Sequence, residues 1–221
     1  LVTKVAESRY SGVLRLDGKR ALITGASKGI GADIARAFAS AGANLVLGGR
    51  DLDELARAGA ALHDEFGTEV RWAAVDLAAA EGPAELAHRA ADAFGGLDIL
   101  VNNAGISHPQ PVTETDAELF DATLAVNLRA PALLAARVGA DMVAHGIRGA
   151  IITVASAAAL APLPDHYAYC ASKAGLVMAT KVLARELGPH GIRANSVCPT
   201  VVLTEMGPRV WGEPAEAGRK L

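Results

Sequence analysis

A phenol and an amine stand four residues apart in Tyr169-Cys170-Ala171-Ser172-Lys173. On a helix that spacing places both on one face, one turn apart. A cation beside a phenol favours the phenolate and lowers a pKa that starts near ~10, so Tyr169 is expected to trade protons with a substrate oxygen near neutral pH. Upstream, Ser156 follows the apolar run Ala150-Ile151-Ile152-Thr153-Val154-Ala155, which reads as a buried parallel strand. Open parallel sheets bind ligands at the carboxyl ends of their strands, so a hydroxyl, a phenol and an amine are expected to converge on one carbonyl.

A second cluster lies near the start of the chain. Residues 20–24 form a short strand running into Gly25-Ala26-Ser27-Lys28-Gly29-Ile30-Gly31, after which Ile34, Ala35, Phe38 and Ala39 keep helical period until Gly42. The glycines permit a tight turn, and the free N–H groups and dipole of the helix start favour a phosphate. Glycine-rich turns also serve simply to join elements; the strand before and the helix after favour the phosphate here.

These groups need a scaffold, and the rest of the chain supplies one. Further strands are expected at 44–48, 69–75, 97–101, 150–155 and 193–197, with helices at 51–65, 83–94, 115–145 and from Tyr169 to about Leu187. Strands separated by helices imply one parallel sheet with right-handed crossovers and helices on both faces, an α/β doubly wound domain over residues 1–221. Residues 1–17 read as an N-terminal arm, and 200–221 as a loop region beside the substrate. The 115–145 helix is interrupted by Pro131, which has no N–H for the carbonyl of Asn127. Two readings stand: a simple kink, or a freed carbonyl by which Asn127 holds a water linked to Lys173.

Composition narrows the classes. With 21 basic and 24 acidic residues, a formal net charge of -3 and no long run of either sign, neither a nucleic acid nor an anionic membrane is an expected partner. The two cysteines, Cys170 and Cys198, lack metal spacing and the six histidines are scattered, so neither a metal site nor a disulfide framework is expected; a reducing cytoplasm fits. No apolar run reaches about 18 residues, and the first residues lack the layout of a signal peptide.

Thr24-Gly25-x-x-x-Gly29-Ile30-Gly31, Asn102-Asn103-Ala104-Gly105, Asn127, Ser156, Tyr169 and Lys173 together resemble, in order and spacing, the short-chain dehydrogenase/reductase family across nearly the whole chain. The resemblance implies a Rossmann-type domain binding NAD or NADP, with hydride passing between the nicotinamide and a carbonyl or alcohol carbon. It implies Tyr169 as acid/base, Ser156 as the group orienting the carbonyl oxygen, Lys173 as a second contact to the nicotinamide ribose and Asn127 as support for the proton relay. Cofactor contacts implied at matching positions are Gly25, Ser27, Lys28, Gly29, Ile30, Gly31, Arg50, Asp76, Leu77, Asn103, Ala104, Gly105, Pro199, Val202 and Thr204. From His166 onward the chain is similar to the polyol and dicarbonyl-reducing branch of that family, including Pro199-Thr200 where most members carry Pro-Gly. That branch implies ketoses, sugar alcohols or small dicarbonyls as substrates, with Asp165, His166 and Trp211 near them. Trp211 also reads as a loop aromatic packed on the core. The resemblance further implies a homo-dimer or tetramer paired through the long helices, and a final helix and strand beyond Leu221.

Charge favours NADP(H) over NAD(H). NAD-specific relatives place a carboxylate at the end of the second strand, whereas here Gly49 leaves that corner empty and Lys28 and Arg50 flank it. Lys28 and Arg50 as merely solvated charges is the other reading, and Asp51 is an unhelpful neighbour for a phosphate. Tyr167 has Ala171 four residues on and is expected to line the cleft or pack; Ser172 is expected to point away from the Tyr169 and Lys173 face. The rival enzyme reading is a reductase of acyl-thioesters or bulky ketones, and the rival of another class is a non-catalytic nucleotide sensor.

Overall fold

Short apolar runs with covered faces on both sides make the inner strands β1 (Arg20–Thr24), β2 (Asn44–Gly49), β4 (Ile99–Asn102) and β5 (Ala150–Val154), flanked by the more exposed strands β3 (Val70–Ala74) and β6 (Arg193–Val197). The computed structural model describes residues 14–200 and 202, so the expectations for residues 1–13 and for Thr204 and Trp211 lie outside the described residues. All pairings are parallel, in the order β3-β2-β1-β4-β5-β6. Leu22 of β1 stands opposite Val46 on one side and Leu100 on the other.

Helices α1 (Gly29–Ser40) and α2 (Leu52–Phe66) cover one face; α3 (Gly82–Phe94), α5 (Ala130–Ala144) and the C-terminal end of α6 (Tyr167–Leu187) cover the other. Strand alternation sorts the core accordingly. Leu22, Val46, Leu100 and Ile151 meet Leu86, Leu134, Val138 and Met142, while Ile23, Leu45, Leu47 and Val101 meet Ala35, Ala39, Leu55 and Leu62. The chain moves outward from β1 to β3, then returns to β4 on the opposite side of β1. The crevice left at the carboxyl ends of β1 and β4 is the topological switch point of a doubly wound sheet.

Three expectations need correction. Leu16 donates its N–H to the carbonyl of Ala41 at 2.8 Å and packs on the core, so the arm is already tied down before residue 17. The helix expected at 115–145 does not kink at Pro131 but earlier: α4 (Ala117–Leu124) widens into a π-helical turn, Ala125–Arg129, before α5 begins. The proline removes a donor and crowds the preceding turn, and one wider turn relieves both. Finally, the continuous helical stretch Ala117–Ala144 is long and apolar enough to cross a membrane by length and composition. Its Leu134, Ala135, Val138 and Met142 are packed against the sheet, as in a core helix.

Candidate active site

Beyond β5 the chain turns sharply. Ser156 has extended backbone and its hydroxyl accepts the N–H of Ala158 at 3.1 Å, capping the short 3-10 turn Ala157–Ala159. Facing it, the first two turns of α6 carry Tyr169 and Lys173. The Lys173 ammonium lies 5.7 Å from the centre of the Tyr169 ring and donates to the carbonyl of Val154, the last residue of β5, at 2.9 Å. Lys173 is 4% exposed, and burial pushes its pKa down to about 8. The Ser156 hydroxyl lies near enough to the Tyr169 phenol to favour its ionised form. Tyr169 and Lys173 therefore stand side by side on α6, with Ser156 just beyond the end of β5.

Their electrostatics differ from the sequence expectation. Burial pushes the Tyr169 phenol above its ordinary value, and the nearby Ser156 hydroxyl offsets only part of that. The lysine does not lower it, because its nitrogen stands over the ring and is spent on a backbone carbonyl rather than on the phenol oxygen.

Asn127 sits in the π-helical turn with no exposed surface. Its Oδ1 accepts the N–H of Ile106 at 2.8 Å and its Nδ2 donates to the carbonyl of Ile106 at 2.8 Å and to Ser172 Oγ at 3.3 Å. Ser172 in turn donates to the carbonyl of Tyr169 at 2.7 Å. The expectation that Ser172 points away is wrong: it is wholly buried and ties Asn127 to the helix that carries Tyr169. The signal was in its spacing, since residues three apart share a helix face as surely as residues four apart. A side chain at Gly105 would lie 3.4 Å from Asn127 Oδ1 and 3.5 Å from Lys173 Nζ, so the bare backbone after β4 passes between them.

At the other end of the crevice, Thr24 Oγ1 accepts the N–H groups of Asn103 and Ala104 at 2.9 and 3.0 Å, and Asn103 Nδ2 donates to the carbonyls of Thr24 and Gly25 at 2.9 and 3.1 Å. These bonds stitch the ends of β1 and β4 together and hold the glycine turn, in which Gly25 and Gly29 have φ of 64° and 56°. Asn103 thus braces the turn from behind.

The family model for short chain dehydrogenase matches residues 19–214. The chain belongs to the short-chain dehydrogenase family. D-threitol dehydrogenase of Mycolicibacterium smegmatis is 42% identical to it over 221 residues, covering 100% of this chain and 84% of that protein. L-xylulose reductase of Bos taurus is 42% identical over 207 residues, 92% of this chain and 80% of that one. Among solved structures, L-sorbose reductase from Gluconobacter frateurii complexed with NADPH and L-sorbose superposes with a TM-score of 0.84 at 39% identity, covering 87% of this chain and 73% of that chain.

As a short-chain dehydrogenase the chain is an oxidoreductase, and its own residues fit the dinucleotide that the family uses. No side chain caps the start of α1 and no acidic residue stands in its first turn, whereas α2 and α4 are capped by Asp51 and Asp116. The first N–H groups of α1 are therefore left for an anion. Gly31 packs so closely on the Gly25 carbonyl that a methyl there would overlap it, and Ile30 packs into the core beside it. Lys28 and Arg50 are exposed, and Lys28 Nζ lies 3.8 Å from Glu54.

Packing adds detail at three positions of the cofactor corner. A Cβ at Gly49 would meet Leu55 at 3.2 Å, so the glycine makes room for the core rather than for a phosphate. Leu77 is 8% exposed and packs among Leu86 and its neighbours, which leaves only its backbone for a cofactor, while exposed Asp76 uses Oδ1 to accept the N–H of Ala78 at 2.9 Å. Sequence reasoning also missed Glu54 and Arg57, which line an open recess of about 380 Å³ together with Ser27, Lys28 and Ala58.

On the substrate side, the His166 ring is 6% exposed, with Nδ1 2.7 Å from the Pro164 carbonyl and its edge against the Tyr169 ring, centres 6.0 Å apart. Its Nε2 is buried without a hydrogen-bond partner among the described residues. Asp165, exposed, takes a left-handed φ of 61°, and its carbonyl accepts the N–H of Gln110 at 2.7 Å, so its part is in shaping the loop before α6. Tyr167 packs against Phe120 at a tilt, with ring centres 5.7 Å apart. Pro199 brings the following loop beside Ser156 by accepting the N–H of Ala157 at 2.9 Å, and Val202 is 39% exposed.

Proposed function

We propose that this enzyme interconverts a ketose or small dicarbonyl with the corresponding secondary alcohol, using NADP(H), with Ser156, Tyr169, Lys173 and Asn127 as its catalytic set. The observation that carries the reading is the placement of Lys173 beside the Tyr169 ring, tied to the carbonyl of Val154 at the end of β5, with Ser156 two residues beyond that strand. The named substrates of the relatives, D-threitol, L-xylulose and L-sorbose, support polyols and their ketoses as the class. NADPH in the L-sorbose reductase complex, together with the cations Lys28 and Arg50, supports NADP(H) over NAD(H).

When bound, the nicotinamide supplies the hydride for reduction or accepts it in oxidation. The chain handles the proton. In reduction the carbonyl oxygen gains a proton from the Tyr169 phenol, while the Ser156 hydroxyl donates a hydrogen bond that polarises the carbonyl and fixes its orientation. In oxidation the same phenolate oxygen takes the alcohol proton. Because burial holds the phenol neutral, the enzyme rests with Tyr169 as an acid, the form that reduction needs. Lys173, with a pKa of about 8, is mainly charged at neutral pH and ties the start of α6 to the end of β5 through its bond to the Val154 carbonyl. Asn127 holds Ile106 and, through Ser172, the helix bearing Tyr169; it serves the relay by keeping these parts in register.

Pro199, Val202 and Thr204 belong on this reading to the cofactor, Asp76 and the backbone of Leu77 to the adenine end, and His166 to the substrate wall, with Asp165 shaping it and Trp211 completing it. A homo-oligomer and a cytoplasmic location complete the reading. The deciding measurement is a panel of initial rates with xylitol, other polyols, their ketoses and diacetyl, each with NADP(H) and NAD(H). Tyr169→Phe should keep cofactor affinity within about twofold and lose at least ~100-fold in kcat. A variant that turns over like the parent would remove Tyr169 from its role.

A further inference from the structure

Glu54 occupies an unexpected position for a glutamate in the first turn of a helix. Its backbone N–H is already capped, because Asp51 Oδ1 accepts it at 2.9 Å. An acidic residue at this position ordinarily reaches back to its own helix start. Here the side chain reaches away to the glycine turn instead. Ser27 Oγ donates to Glu54 Oε2 at 3.0 Å, and Lys28 Nζ lies 3.8 Å from Glu54 Oε1. The carboxylate thereby holds two of the residues that the NADP(H) reading gives to the cofactor. It does so from within the recess of about 380 Å³ whose other lining groups include the Arg57 guanidinium, one turn further along α2.

We propose that Glu54 sets the cofactor preference of this enzyme as a resident anion in the corner that receives a ribose 2'-phosphate; the proposal rests on the NADP(H) reading above. A 2'-phosphate entering this corner meets the same hydroxyl and ammonium that Glu54 holds, and carries up to two negative charges to within a few ångströms of a carboxylate. Lys28 and Arg57 favour the phosphate, and Glu54 opposes it. A ribose that bears only a 2'-hydroxyl carries no charge and leaves the Glu54 contacts undisturbed. Glu54 therefore narrows the gap between NADP(H) and NAD(H) that the cations alone would set, without touching the reacting atoms.

The test is equilibrium binding, read by titration calorimetry with two probes that differ only in the 2'-group, adenosine 2',5'-bisphosphate and 5'-AMP. Glu54→Gln keeps the size and hydrogen-bonding reach of the side chain and removes its charge. Its expected effect is about tenfold tighter binding of the bisphosphate, with 5'-AMP held within about twofold and the gain shrinking as salt is raised from 50 to 500 mM, on the order of Debye lengths falling from above to below 10 Å. No change for the bisphosphate, weaker binding of it, or an equal change for both probes overturns the proposal. So does selective weakening of 5'-AMP, which would make Glu54 an acceptor for the 2'-hydroxyl. Lys28→Met is measured in parallel and should weaken the bisphosphate more than 5'-AMP. The Glu54→Gln ratio decides this proposal, and the Lys28→Met ratio separately decides the phosphate-corner reading beneath it.

Discussion

Lys173 carries its charge where little water can follow, and the cost is readable as a pH dependence. Its pKa falls from 10.5 to about 8 on burial, a difference corresponding to about 3 kcal/mol. Between those two values the unfolded chain binds a proton that the native state does not, so stability rises with pH across that window. Below pH 8 the full penalty stands. Lys173→Met should therefore be inactive, and its stability relative to the parent should be greatest at pH 7 and decline by about 2–3 kcal/mol as pH rises to 10. Urea midpoints for both proteins at pH 7, 8, 9 and 10 check this; a gap that stays constant with pH would show that the buried amine costs nothing. Other titrating groups are common to both proteins and cancel in the difference. The lysine is thus retained at a site where an apolar chain would be more stable, the pattern expected of a residue kept for its chemistry.

At the scale of elements, the site is assembled from strand ends and helix starts that are rigid for separate reasons. The π-helical turn at Ala125–Arg129 turns Asn127 inward to a place where it can bond Ile106 and Ser172 together, and an unbroken α-helix through Pro131 would have no such widened turn. The glycine turn is held by Thr24 and Asn103, and its tolerance is set by the contact between Gly31 and the Gly25 carbonyl. Gly31→Ala puts a methyl against backbone that cannot yield without moving α1. Cofactor affinity should fall at least ~10-fold while overall stability drops by about 1–3 kcal/mol. Calorimetric titration with NADP+ beside a denaturant curve would separate the two effects. Undiminished affinity would mean that the turn is more pliable than its packing indicates.

Over the whole molecule, the helices leave apolar surface that the core does not use. Leu119 and Leu133 on the long helical stretch and Tyr167, Met178 and Val182 on α6 are between 36% and 58% exposed. Isolated exposed apolar residues are ordinary, and the homo-oligomer proposed above would draw its contacts from those along these two helices. If the helices pair in solution, Met178→Glu should convert the oligomer to a smaller species with little change in monomer fold. Light scattering after size exclusion reads the mass directly; an unchanged mass would take this part of α6 out of the interface.

Much of this architecture was legible in the sequence because it follows from local rules. Apolar runs of strand length separated by helical periodicity imply a parallel sheet covered on both faces, and the four-residue spacing of Tyr169 and Lys173 implies a shared helix face. What the chain order could not convey is which groups are spent on one another once packed. Lys173 gives its hydrogen bond to Val154 and stands over a ring, so the phenol is governed by burial rather than by the cation. Ser172 meets Asn127 from 45 residues away, and Glu54 meets Ser27 from 27 residues away. Gly49 serves Leu55. Residue types and short spacings are local and survive in a linear reading; desolvation and long-range partners exist only when distant segments are brought together, and these set the charge of the site.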